Sequence, residues 1–280
     1  MSNRNVTLLP ILKWAGGKRQ LLDEITPLIP SKIATYVEPF IGGGAVLFDL
    51  EPKKAIINDF NGDLINVYRV IRDNPNELLS LLEKHNKLNN EEYFYQIRKL
   101  DRTDDYNTMS DVEKAARIMY LNKTCFNGLY RVNQSGQFNS PYGKYKKPNI
   151  INKSAILSVS NYFNNNNIKI IKGDYKEPLK KLRKGDFVYF DPPYMPISTS
   201  SSFTKYTENG FSKKNQIELK NECDKLDKKG IKFLLSNSFH PLIQELYKDY
   251  EIITVKARRS INSNANKRGK IEEVLVRNYG

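Results

Sequence analysis

Apolar residues fall along this chain in two kinds of pattern. Towards both ends they form short continuous runs: Tyr36-Val37-Glu38-Pro39-Phe40, Ala55-Ile56-Ile57-Asn58-Asp59, Ile168 to Lys172, Phe187 to Phe190 and Ile231 to Leu235. Continuous runs suit strands buried on both faces, as in a parallel sheet. Gly42, Gly43 and Gly44 follow the first run, and Ala45 to Leu50 reads as a helix start. Between the last two runs, Ser212 is placed to cap a helix that continues through Lys229 and stops at Gly230. Tyr250 to Ala257 and Glu272 to Tyr279 read as an antiparallel pair joined by a loop.

The middle of the chain is patterned differently. Asn74-Pro75 reads as an N-cap followed by proline at the first helical position, and Leu78, Leu79, Leu81 and Leu82 continue an amphipathic helix. Ser110-Asp111-Val112-Glu113 is a capping box opening a run to Leu121. Arg131 to Pro141 reads as a hairpin turning at Gln134-Ser135-Gly136-Gln137, and Asn164 to Asn167 as a short polar loop. The expected fold class is therefore α/β. A mostly parallel sheet with an antiparallel C-terminal hairpin, built from residues 1–61 and 165–280, is interrupted by a helical and β-hairpin insert over 62–164. No internal repeat is visible.

Composition narrows the function. A length of 280 residues fits one large domain or two small ones, and 39% hydrophobic with 27% charged residues excludes wholesale disorder. The net charge of +14 favours a polyanion as partner. From Lys114 to Gly173 there is no Asp or Glu, but there are ten bases: Lys114, Arg117, Lys123, Arg131, Lys144, Lys146, Lys147, Lys153, Lys169 and Lys172. Such a one-signed stretch is expected to form a surface that meets phosphates. A second acid-free stretch between Glu251 and Glu272 is rich in Ser and Asn and is read as a mobile basic loop. Two cysteines and two histidines supply neither a disulfide framework nor a zinc site, so no metal is expected. No apolar run is long enough for a membrane span, and the N-terminus lacks the apolar core of a signal peptide, so the expected compartment is cytoplasmic.

Four clusters carry candidate chemistry. Asp191-Pro192-Pro193-Tyr194 follows Val188-Tyr189-Phe190, which would carry it to the carboxyl edge of the sheet, where open α/β sheets bind ligands. The prolines fix the backbone and donate no hydrogen bonds, so carbonyls are left free to accept. A carboxylate, fixed carbonyls and an aromatic ring suit a planar group bearing an NH2; the plainer reading is a rigid turn with Tyr194 as packing. Glu38-Pro39-Phe40-Ile41-Gly42-Gly43-Gly44 lets backbone approach a ligand closely, and Asp59 at the end of the next strand could take both hydroxyls of a ribose. The plainer readings are a tight turn and a helix cap. Lys13-Trp14-Ala15-Gly16-Gly17-Lys18-Arg19 holds the only tryptophan and lacks the phosphate-loop spacing. It could close over a cofactor, or be an ordinary turn. Gly173-Asp174-Tyr175 could bind an adenine amine or simply cap.

Taken together, Lys13-Trp14-x-Gly-Gly-Lys18, Glu38-Pro39-Phe40-x-Gly-Gly-Gly, Asn58-Asp59, Phe126-Asn127-Gly128-Leu129-Tyr130-Arg131, Phe138-Asn139-x-Pro141-Tyr142-Gly143, Asp191-Pro192-Pro193-Tyr194 and Ser236-Asn237-Ser238 resemble the Dam-type DNA adenine-N6 methyltransferases. The resemblance covers nearly the whole chain, in the α-group motif order. It implies a Rossmann-like methyltransferase sheet, S-adenosylmethionine as cofactor, and transfer of its methyl group to the N6 amine of a flipped adenine in double-stranded DNA, in the sequence GATC. By the same resemblance, Asp191, Pro192, Pro193 and Tyr194 are catalytic. Trp14, Lys18, Glu38, Phe40, Gly42, Gly44, Asp59, Asp174, Tyr175 and Asp191 are cofactor residues. Lys13, Phe126, Asn127, Leu129, Arg131, Pro141 and Tyr145 face DNA, with Arg131 bidentate to guanine, Leu129 on a thymine methyl, and Phe126 and Asn127 filling the gap left by the target base. A monomer is expected, and a cognate restriction endonuclease is a partner the family admits. The rival readings are an RNA or protein-amide methyltransferase and a catalytically silent DNA-binding protein. Asp191, where related amide and base methylases often carry Asn, argues against the first, and the intact set from Lys18 to Tyr194 against the second.

Overall fold

The computed structural model describes residues 8–196, 211–258 and 270–280. Its strands are β1 (Tyr36–Glu38), β2 (Lys54–Asp59), β3 (Asn167–Lys172), β4 (Phe187–Phe190), β5 (Lys232–Ser238), β6 (Glu251–Arg258) and β7 (Lys270–Arg277). They form one seven-stranded sheet in the order β3-β2-β1-β4-β5-β7-β6. The pairs β1–β2, β1–β4 and β4–β5 are parallel, and β7 runs antiparallel to both β5 and β6. Every apolar run read as a strand is one, and the C-terminal pair is the expected hairpin. Its connecting loop, read as mobile and basic, lies outside the described residues. The first strand is shorter than its run because Pro39 follows Glu38 and has no N–H for the ladder.

The chain divides into two compact units: residues 1–17, 42–51 and 61–170 in one, and 18–41, 52–60 and 171–280 in the other. The first unit is mainly helical. Its helices Gly62–Asp73, Pro75–Leu88, Glu91–Lys99, Asp111–Thr124 and Lys153–Asn165 bury an apolar stripe that includes Leu64, Ile71, Leu82, Phe94 and Ile118. Burying each such side chain contributes about 1.5–3 kcal/mol before entropy is counted. The Ser110 capping box forms as read, with both reciprocal bonds to Glu113. Asn74 stands before Pro75 without capping it by side chain, because its backbone already closes the preceding helix on Val70.

Two readings are corrected. The polar run Asn164–Asn167 is not a loop: Asn164 and Asn165 end a helix, and Asn167 begins β3. Asn164 fits there because its amide donates to the Ser160 carbonyl one turn back and to the Arg72 carbonyl. The Arg131–Pro141 hairpin holds one isolated bridge, Val132 to Phe138, with a second, Cys125 to Tyr142, just outside it, rather than two strands. It is held from outside: Asp101 accepts the Phe138 N–H at 2.7 Å, and Arg102 donates to the Phe138 carbonyl at 2.8 Å.

In the second unit the core packs around β4 and β5, with Val188, Phe190, Phe233, Leu235, Leu219 and Val274 all fully buried. Ser212 caps the helix Lys213–Lys228 through a reciprocal pair with Asn215, and Gly230 follows at φ +66°.

Candidate active site and nucleic-acid interface

In the second unit, β4 is buried at every position and delivers Asp191 at its carboxyl end. Lys18 Nζ lies 2.8 Å from Asp191 Oδ1, with the two side chains only 6% and 19% exposed. The same ammonium sits 4.6 Å from the centroid of the Tyr194 ring. Burial pushes the Asp191 carboxyl up to about 6, against the pull of Lys18, and Glu273 pushes in the same direction as burial.

The turn itself is pinned from below. Gln216, fully buried on the helix Lys213–Lys228, donates to the Pro193 carbonyl at 2.9 Å and accepts from Asn237 at 3.1 Å. Asn237 accepts from the Met195 N–H at 3.4 Å, and Ser238 donates to the Met195 carbonyl at 2.8 Å. The Tyr194 hydroxyl donates to Glu273 Oε2 at 2.7 Å. The Pro193 carbonyl is thus occupied, whereas among the described residues no hydrogen bond reaches that of Pro192.

Next to this turn in the fold of the same unit lie the ends of β1 and β2. Glu38 is buried and accepts from the Tyr36 hydroxyl at 2.8 Å. Asn58 donates to the carbonyls of Pro39 and Gly173, and its backbone carbonyl accepts the Ile41 N–H. Asp59, half-buried, accepts the Gly173 N–H on its own carbonyl. Phe40 and Tyr175 stack at 5.1 Å and 24°, with Phe211 edge-on to Phe40 at 5.7 Å. Asp174 is exposed and accepts the Lys176 N–H at 2.8 Å, a local turn. Among the described residues, two buried polar atoms here have no partner: Asn58 Oδ1 and the Tyr175 hydroxyl. Such an atom costs about 1–3 kcal/mol if it stays unsatisfied. A stacked aromatic pair, unpaired buried polar atoms and an acidic strand end fit a nucleoside-bearing group.

In the first unit, Gly42 and Gly44 take positive φ (+46° and +72°), and Gly44 stands at the N-terminus of Ala45–Leu50. A Cβ on Gly42 would come within 3.0 Å of the Trp14 indole. Gly42 therefore makes room for Trp14, whose ring also stacks on Tyr130 at 5.1 Å, whereas a Cβ on Gly44 would meet Phe48 and Tyr68. Tyr130 is held in turn by Asp63 at 2.8 Å. Asn122, fully buried, bonds both the N–H and the carbonyl of Lys13 and the carbonyl of Gly128, so it ties the Lys13 segment to the Phe126–Arg131 loop. A Cβ on Gly128 would lie 2.3 Å from Lys13 Cδ. Lys13 Nζ lies 5.1 Å from the Tyr145 ring centroid.

On the same loop Phe126 is 56% exposed, unusual for a large aromatic, and its N–H donates to the Pro141 carbonyl. Asn127 adopts φ +57°. Leu129 is half-buried and Pro141 exposed. Arg131 is exposed and is braced by Asn139, through Nε to Oδ1 at 2.6 Å and Nη2 to the backbone carbonyl at 3.1 Å. The structure thus brings Lys13, Phe126, Asn127, Arg131, Pro141 and Tyr145 into one connected set within this unit.

The acid-free stretch is not uniformly a surface. Arg117 is buried, pairs with Asp101 at 2.8 Å and donates to the carbonyls of Ile97 and Arg98. Lys123 is half-buried and donates to the Ile11 carbonyl, and burial lowers its ammonium to about 8. Both sit within the helix Asp111–Thr124, whose inward face takes them away from solvent. The sequence reading missed Gln216, Glu273 and Phe211. Gln216 carries a faint signal, a polar residue on the apolar stripe of its helix, whereas Glu273 sits in a strand far along the chain from its partner. Among the described residues no group of three or more His, Cys, Asp or Glu could hold a metal ion, and no helix is long and apolar enough to cross a membrane.

A mostly parallel sheet with an Asp-Pro-Pro-Tyr turn at the carboxyl end of a central strand is the arrangement of a Rossmann-like methyltransferase. Comparison with known proteins makes this specific. Residues 14–261 match the family described as D12 class N6 adenine-specific DNA methyltransferase. The chain is 51% identical to the type II methyltransferase M1.LlaDCHI of Lactococcus lactis subsp. cremoris, covering 100% of this chain and 99% of that protein. It is 42% identical to the type II methyltransferase M.MjaIII of Methanocaldococcus jannaschii, covering 96% and 99%. It is 34% identical to the DNA adenine methylase of Escherichia coli, covering 95% and 93%. The chain belongs to the D12-class N6-adenine-specific DNA methyltransferases.

Proposed function

We propose that this protein uses S-adenosylmethionine to methylate the N6 amine of a flipped adenine in double-stranded DNA, within GATC. The observation that carries the chemistry is the acceptor pattern at the end of β4: a buried carboxylate held by Lys18, one proline carbonyl left open and the next one tied down.

The residues fit the cofactor. Asp59 would accept the ribose hydroxyls, Asp174 and Tyr175 would meet the adenine with Phe40 stacked beside them, and Lys18, Glu38 and Asp191 would complete the polar set. Trp14, Gly42 and Gly44 of the first unit are the remaining cofactor residues of the family pattern. When bound, S-adenosylmethionine supplies an electrophilic methyl group on a sulfonium.

The exocyclic amine of adenine is a poor nucleophile because its lone pair is delocalised into the ring. Extruding the base costs a few kcal/mol, and Tyr194 would stack on it. Asp191 and the Pro192 carbonyl would accept the two amine hydrogens, which localises the lone pair on nitrogen. Asp191 would then stabilise the positive charge that develops there, an effect of preorganised electrostatics, while positioning supplies much of the rest. Pro193 fixes the turn. This route needs no metal.

Phe126, Asn127, Leu129, Arg131, Pro141 and Tyr145 would face DNA from an insert spanning 62–164, and Lys13 from the first of the two catalytic segments, 1–61 and 165–280. The GATC assignment rests on the Dam-type motifs around Leu129 and Arg131. A monomer acting on one adenine per strand, in the cytoplasm, follows the same reading. The type II relatives support a cognate restriction endonuclease as a partner. The test is chromatography of nucleosides from a methylated duplex: N6-methyladenine is expected with the native protein and none with Asp191→Ala, at unchanged duplex affinity. Near-normal product from Asp191→Ala would refute the mechanism.

A further inference from the structure

We propose that Glu273 is a positioning residue for the reaction: its hydrogen bond to the Tyr194 hydroxyl sets the ring that receives the target base. The inference deepens the reading of the Asp-Pro-Pro-Tyr turn given above and rests on it.

Glu273 lies on β7, opposite Ser238 of β5 and Val255 of β6. It is followed by Val274, Leu275 and Val276, all fully buried, and is itself 9% exposed. A carboxylate in such a strand is costly unless something recovers its lost hydration. Its bond is to the Tyr194 hydroxyl, a neutral donor, at 2.7 Å. Packing alone would be served as well by an apolar residue facing phenylalanine. What the carboxylate adds is a charge-assisted bond, shorter and stronger than a neutral one, at the far end of the Tyr194 ring. The near end is fixed independently, because Gln216 holds the Pro193 carbonyl and Asn237 and Ser238 hold Met195. A ring anchored at both its backbone and its hydroxyl keeps one orientation before the base arrives. Preorganisation of this kind acts on the rate more than on cofactor binding.

The experiment compares Glu273→Ala, Glu273→Gln and Tyr194→Phe with the native protein. Three quantities are read: methyl transfer, S-adenosylmethionine affinity by calorimetry, and emission of duplexes carrying 2-aminopurine at the target adenine. Glu273→Ala is expected to lower kcat about tenfold, what one hydrogen bond to a charged group is worth. Cofactor affinity should hold within about twofold, and emission should rise because stacking on Tyr194 no longer quenches the probe. Glu273→Gln, whose amide oxygen accepts the same bond without the charge, should recover part of the rate. Tyr194→Phe, which also removes the hydroxyl's interaction with Asp191, should lose at least as much as Glu273→Ala, and the double variant Glu273→Ala with Tyr194→Phe should lose no more than Tyr194→Phe alone. Additive losses, or Glu273→Gln as impaired as Glu273→Ala, would overturn the proposal. Should Glu273→Ala not fold, Tyr194→Phe removes the same bond with its ring intact, and a native rate with native emission would overturn it as well. The same assay run on the native protein and Asp191→Ala separates this result from failure of the underlying reading: no N6-methyladenine from the native protein would sink both.

Discussion

Lys18 and Asp191 are paired at 2.8 Å with both side chains largely shielded from water. The pair sets a pH dependence whose sign is opposite for rate and for stability. Burial raises the Asp191 carboxyl from 3.8 to about 6 in the folded protein, with Lys18 opposing. In the proposed mechanism the ionised form is the one that would stabilise charge on the amine, so kcat/KM should fall as pH drops through about 6. For stability, the folded state binds this proton more tightly than the unfolded chain does. The group's contribution is therefore greatest below about pH 4, declines up to about pH 6, and is constant above. Lys18→Met removes the opposing charge and should move the acid limb of kcat/KM to higher pH. A limb that stays in place, or moves down, contradicts the role given to Lys18.

Arg131 is exposed but not loose, because Asn139 takes both its Nε and one terminal nitrogen. Arg131→Ala should relax discrimination at one guanine by about 1–3 kcal/mol, read as kcat/KM ratios between matched and singly substituted duplexes. Asn139→Ala removes the Oδ1 brace on Nε and keeps the backbone carbonyl bond to Nη2, so it should relax the same position by less. Equal losses on all duplexes would show Arg131 to be a phosphate contact instead.

Asp101 organises the 131–141 hairpin from within the first unit. It pairs with buried Arg117 and accepts the Phe138 N–H. Asp101→Ala would leave the Arg117 charge without its carboxylate and should cost about 3–5 kcal/mol in urea unfolding at neutral pH. A change under about 1 kcal/mol would mean that the carbonyls of Ile97 and Arg98 suffice for Arg117.

The sheet was legible because its signals are local. Each apolar run is short, bounded by Gly or Pro, and too continuous to be amphipathic. The Ser110 and Ser212 caps are likewise written in four adjacent residues. Signals failed where tertiary partners decide. Asn164 looks like loop composition until the Ser160 and Arg72 carbonyls take its amide. Arg117 looks like a phosphate contact until Asp101 neutralises it. The Asp-Pro-Pro-Tyr turn was visible, but the groups that hold it were not. Gln216 and Glu273 come from a helix and a strand later in the chain, and only folding brings them to Pro193 and Tyr194.

The most direct test is transfer of label from S-adenosylmethionine to two duplexes of equal length, one with GATC and one with a scrambled site. Both are run at the same stated salt because phosphate contacts are salt-dependent. Label in the GATC duplex alone, recovered as N6-methyladenine, is the predicted result. Equal label in both would contradict the recognition roles of Leu129 and Arg131, and no label in either would contradict the proposed activity itself.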